Sequence, residues 1–198
     1  MQIEFWFEFA STYSYPAAMR IEALAAERGA TVAWRPFLLG PIFQQQGWNN
    51  SPFNIYPVKG NYMWRDLERI CECMNIPLRR PSVFPRNSLL AARVAGANTE
   101  AAWLPAFVRA TYQANFADDA DISSPAVLER CLSTLGLDAA AILAGAQTPA
   151  AKDKLKALTA EAMERGIFGA PSIVVGRELF WGNDRLEDAF DWAARPGS

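Results

Sequence analysis

Apolar and polar positions alternate from the first residue. Met1-Gln2-Ile3-Glu4-Phe5-Trp6-Phe7-Glu8-Phe9-Ala10 has the period of a strand. Ser11-Thr12-Tyr13-Ser14 ends that alternation, and Tyr15–Ala26 carries apolar residues at the spacing of an amphipathic helix. Gly29 suits the C-terminal stop of this helix, and Ala30–Phe37 predicts a second strand. Two strands joined by a helix form a parallel crossover. Residues 40–57 are rich in Gly, Pro, Asn, Gln and Ser and predict a long loop, of the kind that often carries function. The spacing is then helical nearly throughout, from about Lys59 to Arg165. It predicts helices over Gly60–Asn75, Ser88–Ala95, Glu100–Gln113, Pro125–Leu135, Asp138–Gly145 and Ala150–Arg165. Ser124 before Pro125 predicts an N-cap and an N1 proline, with Gly136 as the stop. Strand character returns in Ser172–Trp181, where Gly176-Arg177 predicts a hairpin turn. A last helix, about Asp184–Ala194, opens on an acidic residue suited to its dipole.

The order β-α-β, helices, β-β-α predicts an α/β chain with a thioredoxin-like fold interrupted by an all-α insertion. The thioredoxin-like domain is expected over 1–58 and 166–198, and the helical insertion domain over 59–165. At 51% hydrophobic and 20% charged, a chain of 198 residues can bury a sizeable core. A net charge of −2 offers no basic footprint for nucleic acid or an anionic membrane. No window approaches the roughly eighteen apolar residues of a membrane span, and no secretory leader pattern opens the chain. Nucleic-acid and membrane partners are therefore not expected, and a cytoplasmic location is.

Three cysteines are too few and too irregular for a disulfide framework. Cys71 and Cys73, two apart on a helix, point to opposite sides, and both are expected to be packing residues, as is Cys131. There is no histidine. That removes the commonest general base, the commonest zinc ligand and every Ser-His or Cys-His pair. No metal site is expected.

The candidate chemistry lies at the junction of the first strand and helix. There Ser11-Thr12-Tyr13-Ser14 stands where a thioredoxin-type chain carries C-x-x-C. Free N–H groups and a partial positive charge at a helix N-terminus favour an anion, and a thiolate brought by a cofactor would gain from them and from the Ser11 hydroxyl. The competing reading is that Ser11 or Ser14 only caps the helix. Gly169-Ala170-Pro171-Ser172 precedes the β-branched run: a cis Pro171 would leave the Ala170 backbone open to an extended ligand, whereas a trans proline would simply start an edge strand. In Phe180-Trp181-Gly182-Asn183-Asp184-Arg185-Leu186, turn amides can hold a ligand carboxylate and Asp184, at the cap, a ligand ammonium; the plain alternative is a capped helix. Lys59, Tyr62, Arg65, Asp66 and Arg69 share one helical face, either a solvated stripe or a cationic rim over a cleft. Arg86 can offer a bidentate cation to a substrate carboxylate, while Asn87 suits the cap of the next helix. Phe43, Trp48, Phe53, Trp64 and Phe84 can line an apolar pocket or the core.

The chain resembles the 2-hydroxychromene-2-carboxylate isomerases, the bacterial branch of the kappa-class glutathione transferases within the DsbA-like thioredoxin superfamily. Three stretches carry the resemblance: Phe5–Tyr15; Trp34–Gly40 with Lys59, Tyr62, Arg65 and Asp66 beyond it; and Phe168–Ser172 through Phe180–Leu186. The resemblance implies a DsbA/kappa-class fold, glutathione as cofactor, a small-molecule substrate and a homodimer. It implies that Ser11 faces the glutathione sulfur and that Ala170, before a cis Pro171, pairs with its cysteinyl part. Trp181, Gly182, Asn183 and Asp184 would surround its γ-glutamyl end. Thr12 stands where the family usually has proline. Phe43 stands at the place of a lysine that meets the substrate carboxylate in the aromatic-degrading members, and Asn54 loosely matches an asparagine of the same loop.

The activity so implied is a glutathione-dependent isomerisation, in which a thiolate adds reversibly to a conjugated enone of an aromatic-catabolism intermediate. A kappa-like transferase or peroxidase would consume glutathione stoichiometrically. A disulfide oxidoreductase is disfavoured, because Ser11 and Ser14 form no disulfide. A non-catalytic module would hold glutathione or a peptide against the edge beside Pro171.

Overall fold

The computed structural model describes residues 1–195, so the last three residues of the expected thioredoxin-like domain lie outside the described residues. Strands β1 (Gln2–Phe7), β2 (Thr31–Pro36), β3 (Ser172–Val175) and β4 (Glu178–Trp181) form one sheet in the order β2-β1-β3-β4. β2 lies parallel to β1 with Phe5 opposite Trp34, and β3 lies antiparallel to it with Phe5 opposite Ile173. The hairpin β3–β4 turns at Gly176, whose φ is +60°.

The alternation of β1 explains its central place. Ile3, Phe5 and Phe7 point into the larger core, joined by Trp34, Ile173 and Val175, by Ile21 and Ala25 of α1 (Ser14–Glu27) and by Phe190 of the last helix. Trp6 points to the opposite face and packs with Phe37, Val174, Leu158 and Ala162. Each aromatic ring so buried contributes about 1.5–3 kcal/mol, which fixes the register against a one-residue slip.

Residues 40–57 are not one long loop. They contain α2 (Leu39–Gln45) and the single turn α3 (Pro52–Ile55). Ile42 anchors α2 in the smaller core, and Ser51 starts α3 by accepting the Phe53 N–H at 3.3 Å. Gly60 lets α3 rest on α4 (Pro57–Cys73), because a Cβ there would strike the Phe53 carbonyl.

The helices α5 (Leu89–Ala97), α6 (Leu104–Phe116), α7 (Pro125–Ser133), α8 (Ala139–Ala146) and α9 (Pro149–Glu164) follow. α6 begins later than Glu100 because Pro105 occupies its first turn. Ser124 holds the N-cap position of α7 but makes no side-chain cap bond. At the C-terminal end a 3₁₀ turn, Asn183–Arg185, precedes α10 (Leu186–Ala193). Asp184 is therefore inside that turn and is not its cap; Gly182 holds the cap position. Cys71 and Cys131 are buried as expected, whereas Cys73 is exposed and packs in no core. Among the described residues no helix is long and apolar enough to cross a membrane.

Candidate active site

β1 delivers the chain to the N-terminus of α1 through the turn Glu8–Tyr13, which closes when the Ser11 N–H donates to the Glu8 carbonyl at 3.0 Å. Ser11 is half-buried, while Ser14 is wholly buried and does not reach solvent. The Ser11 Oγ donates to the Ala170 carbonyl at 2.8 Å and lies 3.4 Å from the Ser14 N–H. One hydroxyl thus caps the helix and ties its start to the segment before β3. The Ala170–Pro171 peptide is cis, and among the described residues the N–H groups of Thr12, Tyr13 and Ala170 have no hydrogen-bond partner. Thr12, Tyr13 and Ala170 line the same cleft as Ser11, the first two at the positive end of the α1 dipole.

The cleft, of about 1390 Å³, lies between the sheet end and the helices. Of the residues singled out in the sequence, Ser11, Phe43, Trp48, Phe53, Lys59, Tyr62, Phe84, Arg86, Asn87, Ala170 and Trp181 are among those that line it. Phe43 and Trp48 pack with ring centroids 5.7 Å apart, and Phe168 and Trp181 at 5.0 Å form the opposite lip. Gly169 permits that lip, since a Cβ there would strike the Trp181 indole. Trp64 belongs to the core instead, edge-on to Phe84 at 5.0 Å.

Several expectations are corrected. Asn54 does not line the cleft; its amide donates to the Phe84 carbonyl and to Asn50, each at 3.2 Å, and so braces α3. Arg86 is not available to a substrate carboxylate. It is buried, with one amino group on the Asn115 carbonyl at 3.1 Å and its Oδ1 at 3.0 Å, and the other on Ser82, the Asp119 carbonyl and the Asp119 carboxylate. The Ser82 N–H, with Arg86 behind it, holds the Asp119 carboxyl down at about 2. Asn183 is likewise engaged, since Arg20 donates to its side chain at 3.2 Å and to its carbonyl at 2.6 Å. Pro171, Gly182, Asn183 and Asp184 flank the cleft without lining it. Asp184 is exposed, 3.6 Å from Arg185, and its charge is felt by Tyr13, whose hydroxyl donates to Asp66 at 2.9 Å. On the α4 stripe, Arg65 pairs with Glu68 at 2.8 Å, so Lys59 and Tyr62 alone reach the cleft mouth. Asn87 caps α5 through the Leu89 N–H at 2.9 Å, one residue earlier than the cap position.

Sequence reasoning missed Glu8. The residue is 6% exposed and lines the cleft. It accepts from the Ala10 N–H at 2.8 Å and from the Ser88 hydroxyl. Burial, opposed by the Ser88 hydroxyl and by the Ala10 and Ser11 N–H groups, pushes its carboxyl up to about 7. Glu4, by contrast, is paired with Arg165 at 3.1 Å and Arg35 at 3.6 Å. The available signal was an acidic residue set between Phe7 and Phe9 in a strand otherwise apolar there.

A stability effect follows from Glu8. Between about pH 5 and pH 7 the native protein keeps a proton that the unfolded chain has shed, so stability falls as pH rises through that window. The slope is at most about 1.4 kcal/mol per pH unit. Urea denaturation across this range is expected to show it, and Glu8→Gln to flatten it. An undiminished slope in the variant would assign the effect to other groups.

Residues 2–191 match the DsbA-like thioredoxin domain. A 2-hydroxychromene-2-carboxylate isomerase of Sphingobium xenophagum is 32% identical over 186 residues, 93% of this chain and 94% of that protein. The chain belongs to the 2-hydroxychromene-2-carboxylate isomerase family of DsbA-like thioredoxin domains. Human glutathione S-transferase kappa 1 is 29% identical over 167 residues, covering 77% of this chain and 73% of that one. A solved 2-hydroxychromene-2-carboxylate isomerase superposes with a TM-score of 0.86 at 28% identity, over 98% of this chain and 97% of its own. The family is one of isomerases built on the thioredoxin-like sheet described above.

Proposed function

We propose that this family member is a glutathione-dependent isomerase acting on a conjugated enone, of the type met in aromatic catabolism. The observation that carries this reading is the set of unpaired donors lining, with Ser11 of the α1 N-terminus, an apolar cleft that bears no thiol of its own. Such a cradle fits a ligand that brings its own sulfur anion, and the relative named for glutathione supports that choice. Glutathione, when bound, supplies a thiolate that adds to a double bond and leaves again after rotation, with no net redox change.

The chain's own residues bind and orient. Ser11 turns its hydroxyl from the Ala170 carbonyl to the sulfur, and the Thr12 and Tyr13 amides complete the anion site. The Ala170 N–H and carbonyl pair with the extended cofactor backbone. Trp181 lies along the γ-glutamyl arm, with Asp184 beside Tyr13 for its ammonium. Gly182 leaves the backbone free to approach, and Asn183 holds that turn through Arg20. Phe43, Trp48, Phe53 and Phe84 exclude water from the apolar substrate. With Phe43 replacing a lysine, Lys59 at the mouth, its ammonium 5.6 Å from the Tyr56 ring centroid, is the cleft cation that no carboxylate holds among the described residues, since Arg86 is committed elsewhere. Family membership also supports a cytoplasmic homodimer.

The test combines calorimetry with cofactor accounting. Glutathione is expected to bind with one site per chain, and an enone substrate to be isomerised with the glutathione concentration unchanged. Consumption of one glutathione per turnover would instead identify a transferase or peroxidase. Binding of an extended peptide without glutathione would identify a non-catalytic module.

A further inference from the structure

Glu8 is an expensive residue for its place. A carboxyl needed only to join the Ser88 hydroxyl to the Ala10 N–H could be a glutamine amide, which has no charge to desolvate. Instead an acid lines the cleft, three residues before Ser11 and joined to it through the turn bond between the Ser11 N–H and the Glu8 carbonyl. We infer that Glu8 is the proton acceptor for the cofactor thiol in this cleft, an inference that rests on the glutathione reading above.

The surroundings suit this role. Ser88 reaches Glu8 from the start of α5, and Tyr112 of α6 donates its phenol to the Glu8 backbone carbonyl at 2.9 Å. Tyr112 is the titratable group that faces the carboxylate, and its phenol is pushed far up by burial and by that same carboxylate. Arg86, two residues before Ser88, turns its guanidinium to Asn115 and Asp119. No cation among the described residues pairs with Glu8. Its two oxygens accept one donor each, which leaves lone pairs for a proton.

A thiolate and a carboxylate ionised together in one apolar cleft would repel each other. When Glu8 takes up the proton, the S–H bond breaks, an O–H bond forms on the carboxylate, and the electron pair stays on sulfur. The single negative charge thereby moves from an unpaired buried carboxylate to the donors at the α1 N-terminus. Addition and elimination return the same thiolate, so Glu8 keeps its proton throughout turnover and no further reagent is needed. With Glu8 poised near 7 and a free thiol near about 8.5, stabilisation of the sulfur by about 2–3 pH units, the worth of about two hydrogen bonds to a charged group, makes the transfer favourable.

The experiment is glutathione binding to the full chain, with proton release counted calorimetrically in buffers of different ionisation enthalpy. The thiolate is followed in parallel by its ultraviolet difference absorbance. At about pH 7.5 the wild-type protein is expected to develop the thiolate band while releasing only about 0.2 proton, because Glu8 retains it. Glu8→Gln is expected to develop the same band while releasing about 0.9 proton to the buffer. Glu8→Asp restores internal retention. A thiolate band with a full proton released by the wild-type protein would overturn the inference alone, and so would binding with no thiolate band. These wild-type readings decide the matter even if the glutamine variant fails to fold. No glutathione heat at all would overturn both the inference and the reading beneath it.

Discussion

Ser11→Ala is expected to lower kcat/KM of the isomerisation by about 10–100-fold, the worth of one hydrogen bond to a charged group at about 1.5–3 kcal/mol. The hydroxyl stands at the α1 N-terminus, donates to the Ala170 carbonyl at 2.8 Å and is half-exposed to the cleft. Its removal deletes a donor to the cofactor sulfur and leaves the aromatic cores beneath it untouched. The lost contact to the Ser14 N–H is long, at 3.4 Å, so the capping contribution lies at the low end of about 0.5–2 kcal/mol. Activity is therefore expected to fall much more than melting temperature. Steady-state kinetics and thermal unfolding of the same preparation check this, and parallel losses of both would reduce Ser11 to a helix cap.

Arg86→Met is expected to lower stability by about 2–4 kcal/mol, through the orphaned carbonyl and side-chain oxygens of Asn115. For a chain of 198 residues this corresponds to a fall in Tm of roughly 5–15 °C. The guanidinium is buried and its bonds reach Asn115, Ser82 and Asp119, joining α6 to the segments that flank it. Asn115 in turn donates to the Phe9 carbonyl at 3.1 Å, so the arginine supports the strand end from which Ser11 follows. Glutathione binding by the variant, measured well below its Tm, is expected to survive. A specific loss of substrate affinity without loss of stability would return Arg86 to the substrate-binding role that its place in the chain suggested.

Periodicity was enough for the skeleton. The alternation of β1, the hairpin at Gly176 and the six internal helices were legible because their signals lie within one element and repeat every 2 or 3.6 residues. The loop expected over 40–57 failed for the opposite reason. α2 and α3 are short and poor in helix formers, and they exist because Ile42 finds the Trp6–Phe37 cluster and Gly60 accepts the Phe53 carbonyl.

The thioredoxin-like order of elements and a serine-bearing helix N-terminus in the place of a thiol pair are properties of neighbouring residues and can be read along the chain. Tertiary structure alone decided which charges are free to act. Arg86 is spent on Asn115 and Asp119, Asn183 holds Arg20, and Glu8 is left without a cation because Ser88, eighty positions away, is the donor that meets it. A carboxyl or a guanidinium reads the same in any sequence. Its protonation and its availability are set by the dielectric and the partners that folding brings to it.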